Sequence, residues 1–289
     1  MRLKPAIPFL LVLAGGLAAW QFVPWPAVLH WAVTGQREFQ DAMARALRAA
    51  QAGEPAAVWA LCSATALYGF VHALGPGHGK VLLGGAALAS GATLRRMTWL
   101  TLAASLAQAA SAILLVGALA VLLGLGARTM GDVADAWLAP ASYVAIAAIG
   151  GYLIFRGLRL WRAPAAKPCT SCGHAHGPTL EETASLSSGK DALLLIGSVA
   201  IRPCTGALFV LAIALRFEIF WIGALAVVAM GLGSAAFNLT VAWSGVAARR
   251  FAVIGASGGE LRLVSAGLHI AGGALIAALS VTWLVTFAL

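Results

Sequence analysis

The stretch HALGPGHGK, residues 72–80, combines residue types that seldom occur together inside an apolar segment. His72 and His78 offer imidazole nitrogens, which suit Ni²⁺, Co²⁺, Cu²⁺ and Zn²⁺ as ligands. The two histidines are six positions apart, so on a straight helix their side chains would point in widely different directions. A break between them could bring both rings toward one ion. If the apolar segment spans a membrane, ionisable groups inside it indicate a functional site.

The same stretch contains the means to break a helix. Pro76 removes a backbone donor and clashes with the preceding turn. Gly75, Gly77 and Gly79 add backbone freedom. A break exposes amides and carbonyls, which a membrane tolerates only where protein or a water-filled cavity satisfies them. We expect Lys80 to snorkel or to offset a helix C-terminal dipole rather than to contact a cation.

A second cluster of metal-ligating types lies in CTSCGHAHG, residues 169–177. Cys169, Cys172, His174 and His176 supply four N and S ligands that could bind Zn²⁺, Ni²⁺ or Co²⁺. The spacing is tighter than in a zinc finger, so a structural zinc domain is not expected. A transient acceptor or sensor for metal and a polar loop with reduced cysteines both remain open.

Other polar residues occur within the apolar segments. We predict that Asn238 and His269 belong to the metal site and line a path for the ion. Gln108 is a further candidate for lining this path, whereas the Ser and Thr residues serve helix contacts. Cys204 stands beside Pro203, and both a metal ligand and a small core residue are open for it.

The elements that must position these residues are membrane helices. The chain is 61% hydrophobic and only 10% charged, and several apolar stretches exceed the roughly 18 residues of a transmembrane candidate. The sequence therefore predicts an all-α polytopic membrane protein with about seven transmembrane helices. The predicted helices are 5–23, 56–94 (interrupted), 97–123, 139–160, 191–215, 219–247 and 263–287.

Charge fixes the orientation. With the N-terminus inside, most of the 19 Lys and Arg residues lie on the inner side, which predicts a cytoplasmic N-terminus and an outer C-terminus in the inner or plasma membrane. The same distribution explains the net charge of +9 without nucleic acid as a partner. Gly16 and Ala18 would also allow cleavage of a signal peptide near the N-terminus.

An internal repeat relates two parts of the chain. LGPGHGKVLLGGAALA and IRPCTGALFVLAIALR align Pro76 with Pro203 and Gly79 with Gly206. The first unit begins outside and the second inside, and we predict broken helices at Pro76 and Pro203. Inverted repeats with broken helices near the midplane are typical of transporters. The predicted organisation is 1–23 as an N-terminal anchor helix or signal, 24–55 as an outer interfacial segment with an amphipathic helix, 56–160 as the first three-helix repeat, 161–190 as a cytoplasmic Cys/His loop and 191–289 as the second three-helix repeat.

HALGPGHGK followed further along the chain by RPCTGA resembles the NicO-type nickel/cobalt transporter family over residues 56–287. The resemblance implies membrane transport of Ni²⁺ and Co²⁺, often efflux, with the ion as substrate and no permanently bound cofactor. Members often carry a long His-rich cytoplasmic loop, of which this chain has only residues 169–177. The resemblance implies these site residues: His72, Pro76, His78, Gly79 and Lys80 in the first motif, and Arg202, Pro203, Cys204 and Gly206 in the second.

The sequence therefore predicts a secondary transporter of divalent transition-metal cations, Ni²⁺ and Co²⁺ first, and not an enzyme. Its partners are the ion and the lipid bilayer, and the oligomeric state is open. Two alternatives remain at this point. A thiol-reductant conduit would need two cysteines near matched helix breaks, but His78 occupies the first break. An amino-acid exporter with a similar inverted repeat would not explain two histidines around that break.

Overall fold

The computed structural model describes residues 14, 21–74, 78–123, 134–162, 189–254, 256 and 258–288. The regular structure within these residues is helical, so the all-α prediction is confirmed. A π-helical turn, Ala134–Leu138, leads into the fifth helix. The α-helices are α1 (Trp25–Gln51), α2 (Ala57–Leu74), α3 (His78–Ser90), α4 (Leu94–Leu123), α5 (Ala139–Arg162), α6 (Gly189–Ala200), α7 (Thr205–Arg216), α8 (Phe220–Ala252) and α9 (Gly258–Ala288).

Five of these helices are long and apolar enough to cross a membrane, namely α2, α4, α5, α8 and α9. The pair α6 and α7 passes the same test as one bent span, which gives up to six crossings in the described part of the chain. A multi-pass membrane protein is therefore confirmed. The predicted seventh crossing, 5–23, lies almost wholly outside the described residues, so the count of seven stays a prediction.

The helix break predicted at Pro203 is present. Helix α6 ends at Ala200 and α7 begins at Thr205, with a bend of 62° between them. Proline lacks an amide hydrogen and clashes with the turn before it, so an uninterrupted helix through this position is unfavourable. At the other predicted break, α2 ends at Leu74 and α3 begins at His78. Gly75, Pro76 and Gly77 lie outside the described residues.

The helices pack through small residues, as is usual in membranes. Helix α8 contacts α2, α3, α4 and α7, and α5 packs along α9. A Cβ on Gly150 of α5 would lie 2.8 Å from the carbonyl oxygen of Gly273 of α9. A Cβ on Gly69 of α2 or on Gly233 of α8 would overlap the backbone of the other helix. These two pairs, α5 with α9 and α2 with α8, are in backbone-to-backbone contact.

Helix α1 occupies much of the predicted interfacial segment 24–55. It packs on α2 and α7. Met43 and Leu47 are fully buried in this contact, whereas Trp31 is exposed. The helix is therefore amphipathic, with its apolar side on the bundle. Its place at the outer membrane surface stays a prediction.

Candidate metal-binding cavity

A cavity of about 230 Å³ lies at the break between α6 and α7. The break supplies one wall, and α2, α3, α4, α5, α8 and α9 each contribute residues to the others. Predicted site residues from both motifs meet here, although they are far apart in the sequence. The polar groups on the lining include His72, Lys80, Gln108, Arg202, Cys204 and Asn238.

His72 stands in the last turn of α2 and is held from two sides. Its ring stacks on Tyr68, with ring centroids 5.5 Å apart and 15° between the planes. Its Nδ1 lies 3.0 Å from the side-chain oxygen of Gln36 in α1. An amide oxygen can only accept, so this hydrogen bond requires a proton on Nδ1, and in the neutral ring the lone pair is then on Nε2. A neutral imidazole with a free lone pair is the form that binds a metal ion.

Cys204 occupies the N-cap position of α7, in extended conformation. Its carbonyl accepts hydrogen bonds from the amides of Ala207, at 3.0 Å, and Leu208, at 3.1 Å. Its thiol lies within hydrogen-bonding reach of the His72 ring. One sulfur and one imidazole thus lie next to each other on the cavity wall. Sulfur and imidazole ligands together suit borderline ions such as Ni²⁺, Co²⁺ and Zn²⁺.

Two cations on the cavity wall rest on aromatic rings. The Lys80 Nζ lies 5.7 Å from the ring centroid of Phe237. The Arg202 guanidinium lies 5.2 Å over the Tyr143 ring and also donates to the Tyr143 hydroxyl. Gln108 donates its side-chain amide to the carbonyl of Arg202, at 2.9 Å. This last bond satisfies a backbone carbonyl that the helix break leaves without a partner in its own helix.

Asn238 and His269, both predicted to line an ion path, have different surroundings. Asn238 lines the cavity, and its side-chain oxygen is buried without a hydrogen-bond partner among the described residues. Such an orphaned acceptor would be satisfied by an ion or a water. His269 is fully buried in α9, with Nδ1 2.8 Å from the Ser265 carbonyl oxygen. It is not among the described residues that line this cavity.

Gly79 and Pro203 of the two motifs line the cavity. Gly206 is not among the described lining residues, but it packs against the Tyr68 ring so closely that a Cβ at this position would overlap the ring. His78 is the first residue of α3, but its side chain is not described. The loop cluster of Cys169, Cys172, His174 and His176 falls outside the described residues and stays a prediction.

Within the part of the chain that the structure describes, no group of three or more His, Cys, Asp and Glu side chains could hold a metal ion. Cys62, the other described cysteine, is free in α2 and is not among the lining residues. Among the described lining residues, Cys204 carries a sulfur, His72 an imidazole nitrogen, and Asn238 and Gln108 amide oxygens. These residues all line the same cavity.

The sequence did not predict the contribution of α1. Gln36 and Gln40 are one helical turn apart, and Met43 and Leu47 continue the same side of the helix. These four residues recur every three or four positions and so lie on one side of the helix. This spacing is the signal that could have indicated a face of α1 that packs on the bundle and brings two amides to other polar groups.

An all-helical, multi-pass architecture with a polar cavity at a bent helix is that of a membrane transport protein. Residues 58–167 match the family model NicO, described as "High-affinity nickel-transport protein". Among curated proteins, the chain is 33% identical over 249 residues to the "Putative nickel/cobalt efflux system" of Haemophilus influenzae, with 78% of this chain and 76% of that protein covered. No solved structure is significantly similar to the chain. The chain belongs to the NicO family of nickel-transport proteins, which confirms the family predicted from the sequence.

Proposed function

We propose that this protein exports Ni²⁺ or Co²⁺ across a cell membrane and binds the ion in the cavity at the α6–α7 break. The observation that carries the proposal is the meeting of His72 and Cys204, one residue from each motif, in one polar cavity. The relative in Haemophilus influenzae is named for efflux of nickel and cobalt, which supports the outward direction. The ion is the substrate, and no catalytic step is part of this proposal.

In this proposal His72 and Cys204 bind the ion directly, and Asn238 adds an oxygen ligand. The buried, unpartnered oxygen of Asn238 supports that role. His78, predicted from the first motif, is a further nitrogen ligand in this proposal. His269 is left out of this primary site because it does not line the described cavity wall. The loop cluster at 169–176 is an accessory acceptor on the cytoplasmic side.

Lys80 and Arg202 support the site rather than bind the ion. Among the described lining residues there is no carboxylate. A thiol and an imidazole, rather than carboxylate oxygens, are therefore the ligands that this wall offers to a cation. This ligand set favours transition metals over Mg²⁺ or Ca²⁺, which prefer oxygen ligands.

We further propose that the membrane part consists of two inverted repeats, 56–160 and 191–289, with the N-terminus inside. The reciprocal packing supports this arrangement. The long helix α8 of the second unit packs on the broken pair α2 and α3 of the first. The long helix α4 of the first unit packs on the broken pair α6 and α7 of the second. A two-fold pseudo-symmetry axis relates contacts in this way.

The test is radiolabelled nickel flux in membrane vesicles of defined orientation, normalised to inserted protein. We expect His72→Ala and Cys204→Ala each to reduce flux at least 10–100-fold, the range known for weaker, indirect support of a metal site. Cys62→Ala is the matched control, since it removes a half-buried thiol outside the cavity. Normal flux per molecule in both His72→Ala and Cys204→Ala would refute the site. Uptake into the cell instead of export would refute the direction.

A further inference from the structure

Helix α1 presents two glutamines to two aromatic rings of α2. Gln36 lies 3.0 Å from His72 through its side-chain oxygen. One turn along, the Gln40 side-chain amide donates to the Tyr68 hydroxyl at 3.5 Å. Tyr68 and His72 are themselves one turn apart and stacked. The two helices therefore match each other turn by turn at this point.

Packing fixes the position of these amides. Met43 and Leu47, on the next two turns of α1, are fully buried in a cluster that also contains Leu61 and Tyr68 of α2. The registry of α1 on α2 is therefore set by buried side chains, and Gln36 is itself half-buried. An amide held in this way costs less ordering entropy than a mobile surface side chain that makes the same bond.

We propose that Gln36 is a positioning residue for the ion site: it fixes the tautomer and the orientation of His72. With Nδ1–H bonded to the Gln36 oxygen, Nε2 keeps its lone pair for the ion. Histidine ligands commonly donate their other N–H to an acceptor, and loss of that acceptor typically costs about 10–100-fold in metal affinity or activity. This inference rests on the proposed function of His72, and it makes α1 part of the transport site.

The tautomer is measured directly. Protein labelled with ¹⁵N-histidine and reconstituted in lipid is examined by NMR without metal, and the His72 signals are assigned by their loss in His72→Ala. We expect the wild-type ring to carry its proton on Nδ1. Gln36→Leu, which removes the acceptor but keeps a similar volume, should give a mixture of tautomers. Gln40→Leu is the matched control, since it makes the same change one turn away without touching His72, and it should keep the wild-type pattern.

Nickel flux in the same variants then separates positioning from simple packing. We expect Gln36→Leu to raise KM for Ni²⁺ about 10–100-fold with kcat and folded yield little changed. Gln36→Glu should restore a low KM, because a carboxylate also accepts from Nδ1–H. Unchanged tautomer or unchanged KM in Gln36→Leu would overturn the positioning role. Normal flux in His72→Ala would instead refute the proposed ion site, so the two failures are distinguishable.

Discussion

Replacement of Gly206 by alanine tests the packing behind the cavity. An added Cβ would lie 2.8 Å from Cζ and from the hydroxyl oxygen of Tyr68, and still closer to the ring atom Cε1. Ordinary contacts begin near 3.4 Å, so the ring must retreat by more than half an ångström. Tyr68 is almost fully buried and stacks on His72, so its movement displaces the proposed ligand.

The expected loss of stability in Gly206→Ala follows from this crowding. Overpacking a well-packed interior typically costs about 1–3 kcal/mol, which we expect as a lower unfolding temperature of Gly206→Ala in detergent micelles. Gly197→Ala, in the other half of the same bent pair, is the matched control. A Cβ on Gly197 meets nothing within 4 Å, and alanine is favoured over glycine in a helix by about 1 kcal/mol. Replacement of glycine by alanine should therefore destabilise the protein at position 206 and be neutral or stabilising at position 197.

Nickel flux per inserted molecule completes the test. We expect a clear loss in Gly206→Ala and normal flux in Gly197→Ala, because only the first displaces Tyr68 and His72. Equal stability and equal flux in the two variants would show that Gly206 does not press on Tyr68. The account of how His72 is held in place would then be wrong.

Three further predictions concern other parts of the chain. Arg249, only 3% exposed, donates to the carbonyls of Leu88 and Ala89 and to the Ser265 hydroxyl. Arg249→Met leaves these buried acceptors without their donor, so it should destabilise the protein by about 1–3 kcal/mol, measured as the unfolding midpoint in detergent; an unchanged midpoint would contradict the structural role. Joint replacement of the cysteines and histidines within 169–176 should change the apparent affinity for metal without abolishing flux, and complete loss of flux in a well-inserted variant would place the loop on the obligatory route. In a variant with its single cysteine at 169, impermeant thiol reagents should not label intact cells, and labelling from outside would reverse the predicted orientation.

Much of the fold could be predicted because lipid restricts what a chain can do. Apolar runs of sufficient length must be helices that satisfy their own backbone groups, and the predicted runs agree with α2, α4, α5, α8 and α9. Pro203 indicated the break between α6 and α7 because proline removes a backbone hydrogen bond and clashes with the turn immediately before it. These features depend on local sequence alone.

The site was less accessible from sequence because it depends on contacts between distant segments. His72, Cys204 and Asn238 were predicted as ligands by residue type, and they meet in one cavity. His269 is of the same type as His72, but it bonds to a carbonyl of its own helix one turn earlier and lies elsewhere. Residue type cannot distinguish these two environments. Gln36 was not predicted at all, since its role arises only when α1 packs on α2.

The backbone contact between α2 and α8 has a consequence for the transport cycle. A side chain at Gly69 or Gly233 would overlap the facing helix, and the Ser234 hydroxyl donates to the Gly69 carbonyl at 3.1 Å. This close contact holds α2 and α8 in one register, so we expect His72 on α2 and Asn238 on α8 to move together. Cys204, on the α6–α7 break, belongs to a different element. If the break moves away from the α2–α8 pair, the proposed sulfur and imidazole ligands separate, and we expect the affinity for the ion to fall as the cavity opens.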